Sequence, residues 1–336
     1  MNRIETDVLI IGAGPVGLYG AYCAGFRGLR TVVVDALEEA GGQIAALYPE
    51  KEIFDIAAVP GERGRTLVAA LLQQATTYAP EFLLGRKAVD LGRSDPDHPV
   101  VELSDGTTVQ ARAVVLTVGV GSFVPRPLTA AMSWQGNGVH YFVPDPATHR
   151  GQRVLIVGGG DSAVDWAHAL VPVADSVVLV HRRARFRAHA ANVAALADSG
   201  VKVLTCTEVD ELHGDDKIHA VTLRSDDGLS QSLEVDAVIA ALGFISELGP
   251  IRQWGMEFRG RSVLVDQRMR TNLPRIYAAG DVSDYDGKVR LLSVGFGEVA
   301  TAIGNAAVEI DPEQALFPGH STDRDAAQSP EKAVVP

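Results

Sequence analysis

The chain has 336 residues, 46% of them hydrophobic and 21% charged, a balance that excludes a disordered polypeptide and suits two globular domains with cores of their own. Its formal net charge of −12 argues against nucleic acid and against anionic membrane surfaces as general partners. No apolar run reaches the roughly 18 residues of a membrane span, and the opening Met1 to Asp7 carries acids where a secretory signal carries bases, so a soluble, cytoplasmic protein is expected.

The first predicted element is a short apolar strand, Asp7 to Ile11, which runs straight into Gly12-Ala13-Gly14-Pro15-Val16-Gly17 and then a helical stretch from Leu18 to Arg27. This order suits a dinucleotide. Gly12 permits the tight turn, Gly14 lets the backbone approach a pyrophosphate, and Gly17 lets helix and strand pack closely, while helix-terminal amides face the anion. The next strand, Thr31 to Val34, ends in Asp35, 18 residues after Gly17. A carboxylate there accepts hydrogen bonds from adenosine ribose hydroxyls.

The arrangement recurs further along. The strand Arg153 to Val157 leads into Gly158-Gly159-Gly160-Asp161-Ser162-Ala163, with Val164 to Leu170 as its helix; Ala163 in place of the third glycine is a permitted variant. The candidate contacts of this second cradle are Gly158, Gly160, Asp161, Ser162 and Ala163. The strand that follows, Ser176 to Val180, ends in His181-Arg182-Arg183, with Arg185 and Arg187 close behind. A carboxylate at that place repels a 2′-phosphate, whereas guanidinium groups bind it through charge-assisted hydrogen bonds. Arg182, Arg183 and Arg187 therefore select NADPH over NADH, and His181 is read as structural. Two cradles of opposite charge in one chain call for two different dinucleotides. The pair that makes chemical sense is NADPH (and its product NADP+) with FAD, the protein orienting and the flavin doing the chemistry.

The two cysteines, Cys23 and Cys206, lie far apart and form no local metal or redox spacing; both are read as buried, inert thiols, and no metal site is expected. A tail from about Asp323, with Pro330 and Pro336, is expected to be mobile at its end.

Two further segments carry a resemblance. Thr117-Val118-Gly119-Val120-Gly121 closes the first nucleotide segment, and Ile276-Tyr277-Ala278-Ala279-Gly280-Asp281 looks like a second flavin motif. With the two cradles, this order of motifs resembles the thioredoxin-reductase-like flavoproteins over essentially the whole chain. The resemblance implies an α/β protein of two Rossmann-like, three-layer domains. A discontinuous FAD domain, 1–121 and 243–336 with a C-terminal extension at 311–336, would be interrupted by an NADPH domain at 122–242, and Asp281 would bind the ribityl chain. True thioredoxin reductases carry Cys-x-x-Cys just before the second Gly-rich strand. Here that segment reads Gly138 to Asp145, with Phe142 and Asp145 at the two matched positions. Neither can exchange a disulfide, so electrons must leave directly from the flavin.

Among cysteine-free members, the chain resembles the ferredoxin/flavodoxin–NADP+ reductases of the thioredoxin-reductase-like type. The likeness lies in Tyr141-Phe142-Val143, in the run from Val154 to Trp166, and in Phe317-Pro318-Gly319-His320-Ser321-Thr322. It implies a homodimer in which the extension reaches the partner subunit's flavin. His320 would lie against one face of the isoalloxazine, Tyr48 would stack on the other, and Gln43, Ala88 by its backbone, Phe123 and Thr322 would also contact FAD. NADPH would deliver hydride to the flavin, which would release single electrons to ferredoxin or flavodoxin, with no catalytic side-chain acid, base or nucleophile. Two rivals remain on sequence alone: a flavin reductase with a quinone, small disulfide or peroxide as acceptor, and a non-catalytic flavin-binding sensor. Val118 to Ser122 and Leu242 to Glu247 are candidate hinges. An acidic ferredoxin needs local positive charge to dock, for which Arg63, Arg65, Arg268, Arg270, Lys288 and Arg290 are the candidates.

Overall fold

The structure is a computed structural model that describes residues 2–47, 49–92 and 95–323, without the side chains of Phe123, Ser246 and Asp323. The chain divides into two compact units, Met1–Ser122 together with Ser246–Pro336, and Phe123–Ile245.

The first unit is built on a seven-stranded sheet. Strand Arg3–Ile11 lies at its centre, parallel to Thr31–Val34 on one side and to Thr108–Leu116 on the other. Glu81–Leu83 extends the first side in parallel. On the second side the N-terminal half of Thr108–Leu116 pairs antiparallel with Val100–Leu103, and its C-terminal half pairs in parallel with the late strand Ile276–Ala278. Thr31–Val34 reads Thr-Val-Val-Val and is buried at every residue, as a strand covered on both faces must be. Alternation sorts the central strand between two cores. Val8 and Ile10 join Leu18, Ala21, Val299 and Ile303 of the helices Pro15–Phe26 and Leu292–Ile310. Leu9 and Ile11 face the other way, onto Leu248, Ile251 and Trp254.

The second unit repeats the plan on a smaller scale. Its five-stranded parallel sheet runs in the order Val139–His140, Ala237–Ala241, Arg153–Gly158, Ser176–His181, Lys202–Thr205. Helix Asp161–Leu170 covers one face through Ala163, Val164, Ala167 and Leu170. The other face packs against Leu212, Val221 and Leu223 of an antiparallel meander of Thr207–Gly214, Ile218–Ser225 and Ser230–Glu234. Arg153 holds the start of the central strand: its guanidinium grips Asp236 through Nε (3.0 Å) and Nη2 (2.7 Å), and its amide donates to the same carboxylate at 2.8 Å.

The two strands at which the chain passes between units, Ser122–Pro125 and Phe244–Glu247, pair with each other. Helix starts differ from the sequence reading. The first helix begins at Pro15 rather than Leu18 and the second at Asp161 rather than Val164, because Gly14 and Gly160 are the capping residues and a proline suits the first helical position. The first strand begins at Arg3 rather than Asp7. Among the described residues no helix is long and apolar enough to cross a membrane.

Candidate functional site

Each unit carries a glycine-rich turn at the C-terminal end of its central strand, flanked by strands whose connections run in opposite directions. That is the topological switch point at which open α/β sheets take their ligands. In the first unit Gly12 has φ +113°, and a Cβ there would meet the Thr117 carbonyl carbon at 2.7 Å. Gly17 packs on the same spot, where a Cβ would overlap the Gly12 carbonyl oxygen, so helix and strand meet backbone to backbone. The Thr117 hydroxyl closes the turn by donating to the carbonyls of Gly12 (2.8 Å) and Ile11 (3.1 Å). Gly14 faces Gly42, whose own Cβ would lie 2.9 Å from the Gly14 Cα. The opening between these two backbones thus carries no side chain.

Asp35 follows the second strand. Its carboxylate accepts from the Ala13 amide at 2.6 Å and from the Leu37 amide at 2.8 Å. Burial pushes its pKa above the usual carboxylate range, against the pull of the Leu37, Ala13 and Ala36 amides. A carboxylate has about four acceptor positions, so both oxygens keep capacity for a ribose hydroxyl while one of them ties the strand end to the glycine turn.

In the second unit a Cβ on Gly158 would overlap the Ala241 carbonyl and lie 2.9 Å from the Ala163 Cβ, whereas a Cβ on Gly160 would meet nothing within 4 Å. The space above Gly160 is open at the start of helix Asp161–Leu170, where first-turn amides such as that of Ser162 lack an intrahelical acceptor, while the Ala163 amide donates to the Gly160 carbonyl at 3.1 Å. His181 ends the adjacent strand and lies flat beneath Gly159, where any Cβ would overlap the imidazole. The ring stacks on Phe186 at 5.0 Å, and its Nε2 donates to the Arg185 carbonyl at 3.1 Å. Burial, and then Arg183, Arg187 and Arg182, lower its pKa. The arginine segment is bound back to the cradle twice: the Arg187 amide donates to Gly159 O at 2.7 Å, and the His189 amide to Asp161 Oδ1 at 2.9 Å. Arg182, Arg183 and Arg187 are left exposed on this braced loop.

The remaining predicted residues spread over the first unit. Gln43 opens the short helix Gly42–Leu47, and its amide nitrogen lies 3.0 Å from where a Cβ on Gly119 would be. Ala88 is buried at the start of its strand. Asp281 sits in the Gly280–Val282 turn. His320 and Thr322 are exposed near the end of the described chain, with His320 edge-on to Phe317 at 5.0 Å. Tyr48 lies outside the described residues, as does the side chain of Phe123.

One sequence expectation is corrected. Lys288, taken as a docking cation, has a side chain only 4% exposed and paired with an equally buried Glu298, because the chain turns its ammonium inward beneath the Gly280 turn. Arg290 stays exposed but is tied down, donating to the Asp281 carbonyl (2.8 Å) and the Ser262 hydroxyl (3.1 Å). Arg63 and Arg65 pair with Glu50, and Arg270 with Glu309; Arg268 is exposed. Sequence reasoning missed Glu298 altogether, and its one available signal was an acid on the apolar face of a helix otherwise lined by Val299, Ala302 and Ile303.

Two Rossmann-type units, each with its own phosphate turn and the second set within the first, define an oxidoreductase fold for paired nucleotides. The thioredoxin reductase of Lactococcus lactis has this fold: 24% of residues are identical, 91% of this chain and 99% of that one are covered, and the TM-score is 0.74. The chain belongs to the pyridine nucleotide-disulphide oxidoreductase family, whose pattern matches residues 6–306. Within that family its relatives include the ferredoxin–NADP reductase of Salinispora tropica, 53% identical over 95% of this chain and 99% of that protein. That of Nocardioides sp. is 51% identical over 96% and 98%. The resemblance read from the motifs is thereby borne out.

Proposed function

We propose that the chain is an FAD-dependent ferredoxin–NADP+ reductase, without a redox-active disulfide. The observation that carries this reading is the pair of unlike cradles, an acid closing the first and three exposed arginines on a braced loop closing the second. The likeness to ferredoxin–NADP reductases over nearly the full chain supports ferredoxin as the partner. Cys23 and Cys206 are both free, one in each unit, which supports transfer without a dithiol relay.

The first cradle fits FAD. Gly12, Gly14 and Gly17 bring main chain to the pyrophosphate at the start of helix Pro15–Phe26, and Asp35 takes the adenosine ribose with the acceptor positions that Ala13 and Leu37 leave. Asp281 holds the ribityl chain, and Gln43, beside Gly119, lies near the flavin end of the site. Ala88, Phe123, Tyr48, Thr322 and His320 take the contacts that the family implies. The second cradle fits NADPH: Gly158, Gly160, Ser162 and Ala163 hold its pyrophosphate, Arg182, Arg183 and Arg187 read the 2′-phosphate, and Asp161 braces the arginine loop through His189. When bound, FAD supplies a store that takes two electrons as hydride from NADPH and yields them singly. The protein's own work is to bind, to orient and to discriminate between nucleotides, which needs no side-chain nucleophile.

The finer reading takes flavodoxin as an alternative acceptor, a homodimer whose extensions carry His320 to the partner subunit's flavin, and a cytoplasmic location, the last supported by the unpaired thiols. Anaerobic titration tests the whole. NADPH should bleach the flavin stoichiometrically and oxidised ferredoxin should restore its colour. A chain that stays colourless after reconstitution with FAD, or a reduced flavin that ferredoxin leaves untouched while quinones reoxidise it, rejects the proposal.

A further inference from the structure

Beneath the Gly280–Val282 turn lies a closed set of polar groups that no step above uses. Glu298, on the second turn of helix Leu292–Ile310, accepts from the Gly280 amide at 2.8 Å, from the Tyr285 hydroxyl at 2.7 Å and from Lys288 Nζ at 2.5 and 2.6 Å, while Ser283 Oγ, 3.3 Å from the same carboxylate, donates to the Gly280 carbonyl at 2.8 Å. Lys288 also donates to the Gly280 carbonyl at 3.0 Å and to Ser283 Oγ at 3.2 Å. Both side chains are 4% exposed. The amide and the carbonyl of one residue, Gly280, are thus gripped by opposite members of one ion pair.

The turn has no room to drift. Gly280 has φ +80°, and a Cβ there would meet Val16 at 3.2 Å; a Cβ on Gly295, of helix Leu292–Ile310, would press on the same Val16 at 2.7 Å and lie 3.4 Å from the Gly280 Cα. Val16 belongs to the first cradle. The turn is therefore wedged between the helix that starts at the pyrophosphate site and the helix that carries Glu298.

A buried ion pair is a poor source of stability, since well-packed apolar residues of similar volume usually do as well. What it offers here is direction, because an apolar pair cannot hold both polar groups of Gly280. We infer that Lys288 and Glu298 are positioning residues for the flavin: by clamping Gly280 they fix the placement of Asp281 and so the affinity for FAD and the potential of the bound flavin. This rests on the reading of the first unit as an FAD domain.

The test uses the full-length chain, stripped of flavin and reloaded. Four proteins are compared, the wild type, Glu298→Gln, Lys288→Met and the double variant, by FAD dissociation constant, flavin midpoint potential and thermal melting. Each single variant strands one buried charge and is expected to melt early. The double variant strands none, so it should melt close to the wild type, yet bind FAD about tenfold more weakly, the loss of one charge-assisted contact, with a displaced potential. A double variant with wild-type FAD affinity and potential overturns the proposal. Should the double variant fail to fold, Lys288→Arg decides by the same readouts, because a planar guanidinium keeps the charge but not the ammonium's three-way geometry; unchanged values overturn the proposal there too. Wild-type protein that refuses FAD instead defeats the flavin reading itself, a distinct result.

Discussion

At the scale of single residues, the site divides into positions that local chemistry dictates and positions that only the fold creates. Gly12 is of the first kind: its φ of +113° and its contact with the Thr117 backbone leave no space for a side chain. Gly12→Ala should cost at least about 1–2 kcal/mol of backbone strain and yield protein with little bound flavin, measured as flavin absorbance per mole of purified chain. Arg182 and Arg183 are legible for a similar reason, since strand, tip and base follow one another within a few residues. Replacing both with glutamate should raise the KM for NADPH far more than that for NADH, each lost charge-assisted contact being worth about 1.5–3 kcal/mol. Steady-state kinetics with both nucleotides checks this, and equal losses would show that the arginines do not read the phosphate. Lys288 and Glu298 are of the second kind. Nothing within a few residues of Lys288 says that it points inward; that follows from where helix Leu292–Ile310 packs, a tertiary fact. The role of His181 was equally hidden, because its value lies in lying flat under Gly159, a residue 22 positions earlier.

At the scale of elements, apolar strands ending in glycine turns announced both central strands and both first helices, since the turn residues and the alternating pattern agree there. The meander Thr207–Gly214, Ile218–Ser225, Ser230–Glu234 was not foreseen. Its strands carry polar residues at most outward positions, and Asp215-Asp216-Lys217 and Gly228 turn the chain at the two hairpins; the fully buried apolar contribution to the core, at Leu212, Ile218, Val221 and Leu223, is sparse enough to escape a periodicity count. The C-terminal extension was legible only through resemblance. The structure adds how its root is held: Arg27, at the end of helix Pro15–Phe26, donates to the carbonyls of Ala315 (2.6 Å) and Leu316 (2.9 Å). Arg27→Ala should free this element while sparing the sheet. Amide exchange is expected to accelerate over residues 311–320 with little change in the melting temperature, because both hydrogen bonds lie at the exposed surface, where water takes their place. Unaltered exchange there would show that packing alone, as at Gly304 against Leu316, secures the segment.

At the scale of the whole molecule, the chemistry assigned here depends on two nucleotides and on no thiol. Burial raises the pKa of Cys23 to about 11, so it remains protonated at neutral pH, and Cys206 too is raised by burial. A chain with Cys23→Ala and Cys206→Ala should therefore reduce ferredoxin from NADPH at a rate within about twofold of the wild type, since a free thiol behaves as a small hydrophobe; a large fall in turnover would implicate a thiol after all. The interrupted layout has a further effect, on biosynthesis. Strand Thr108–Leu116 waits for Ile276–Ala278 to complete its edge, and the helix Pro15–Phe26 waits for Leu292–Ile310, while the parallel sheet of the intervening unit has all five strands by Ala241. Because domains fold as units while the ribosome is still working, the half that emerges first is finished last. A nascent chain stalled before residue 276 would hold a mature middle and an unclosed beginning, with apolar surface on Val8, Ile10 and Leu18 open to chaperones until helix Leu292–Ile310 leaves the exit tunnel.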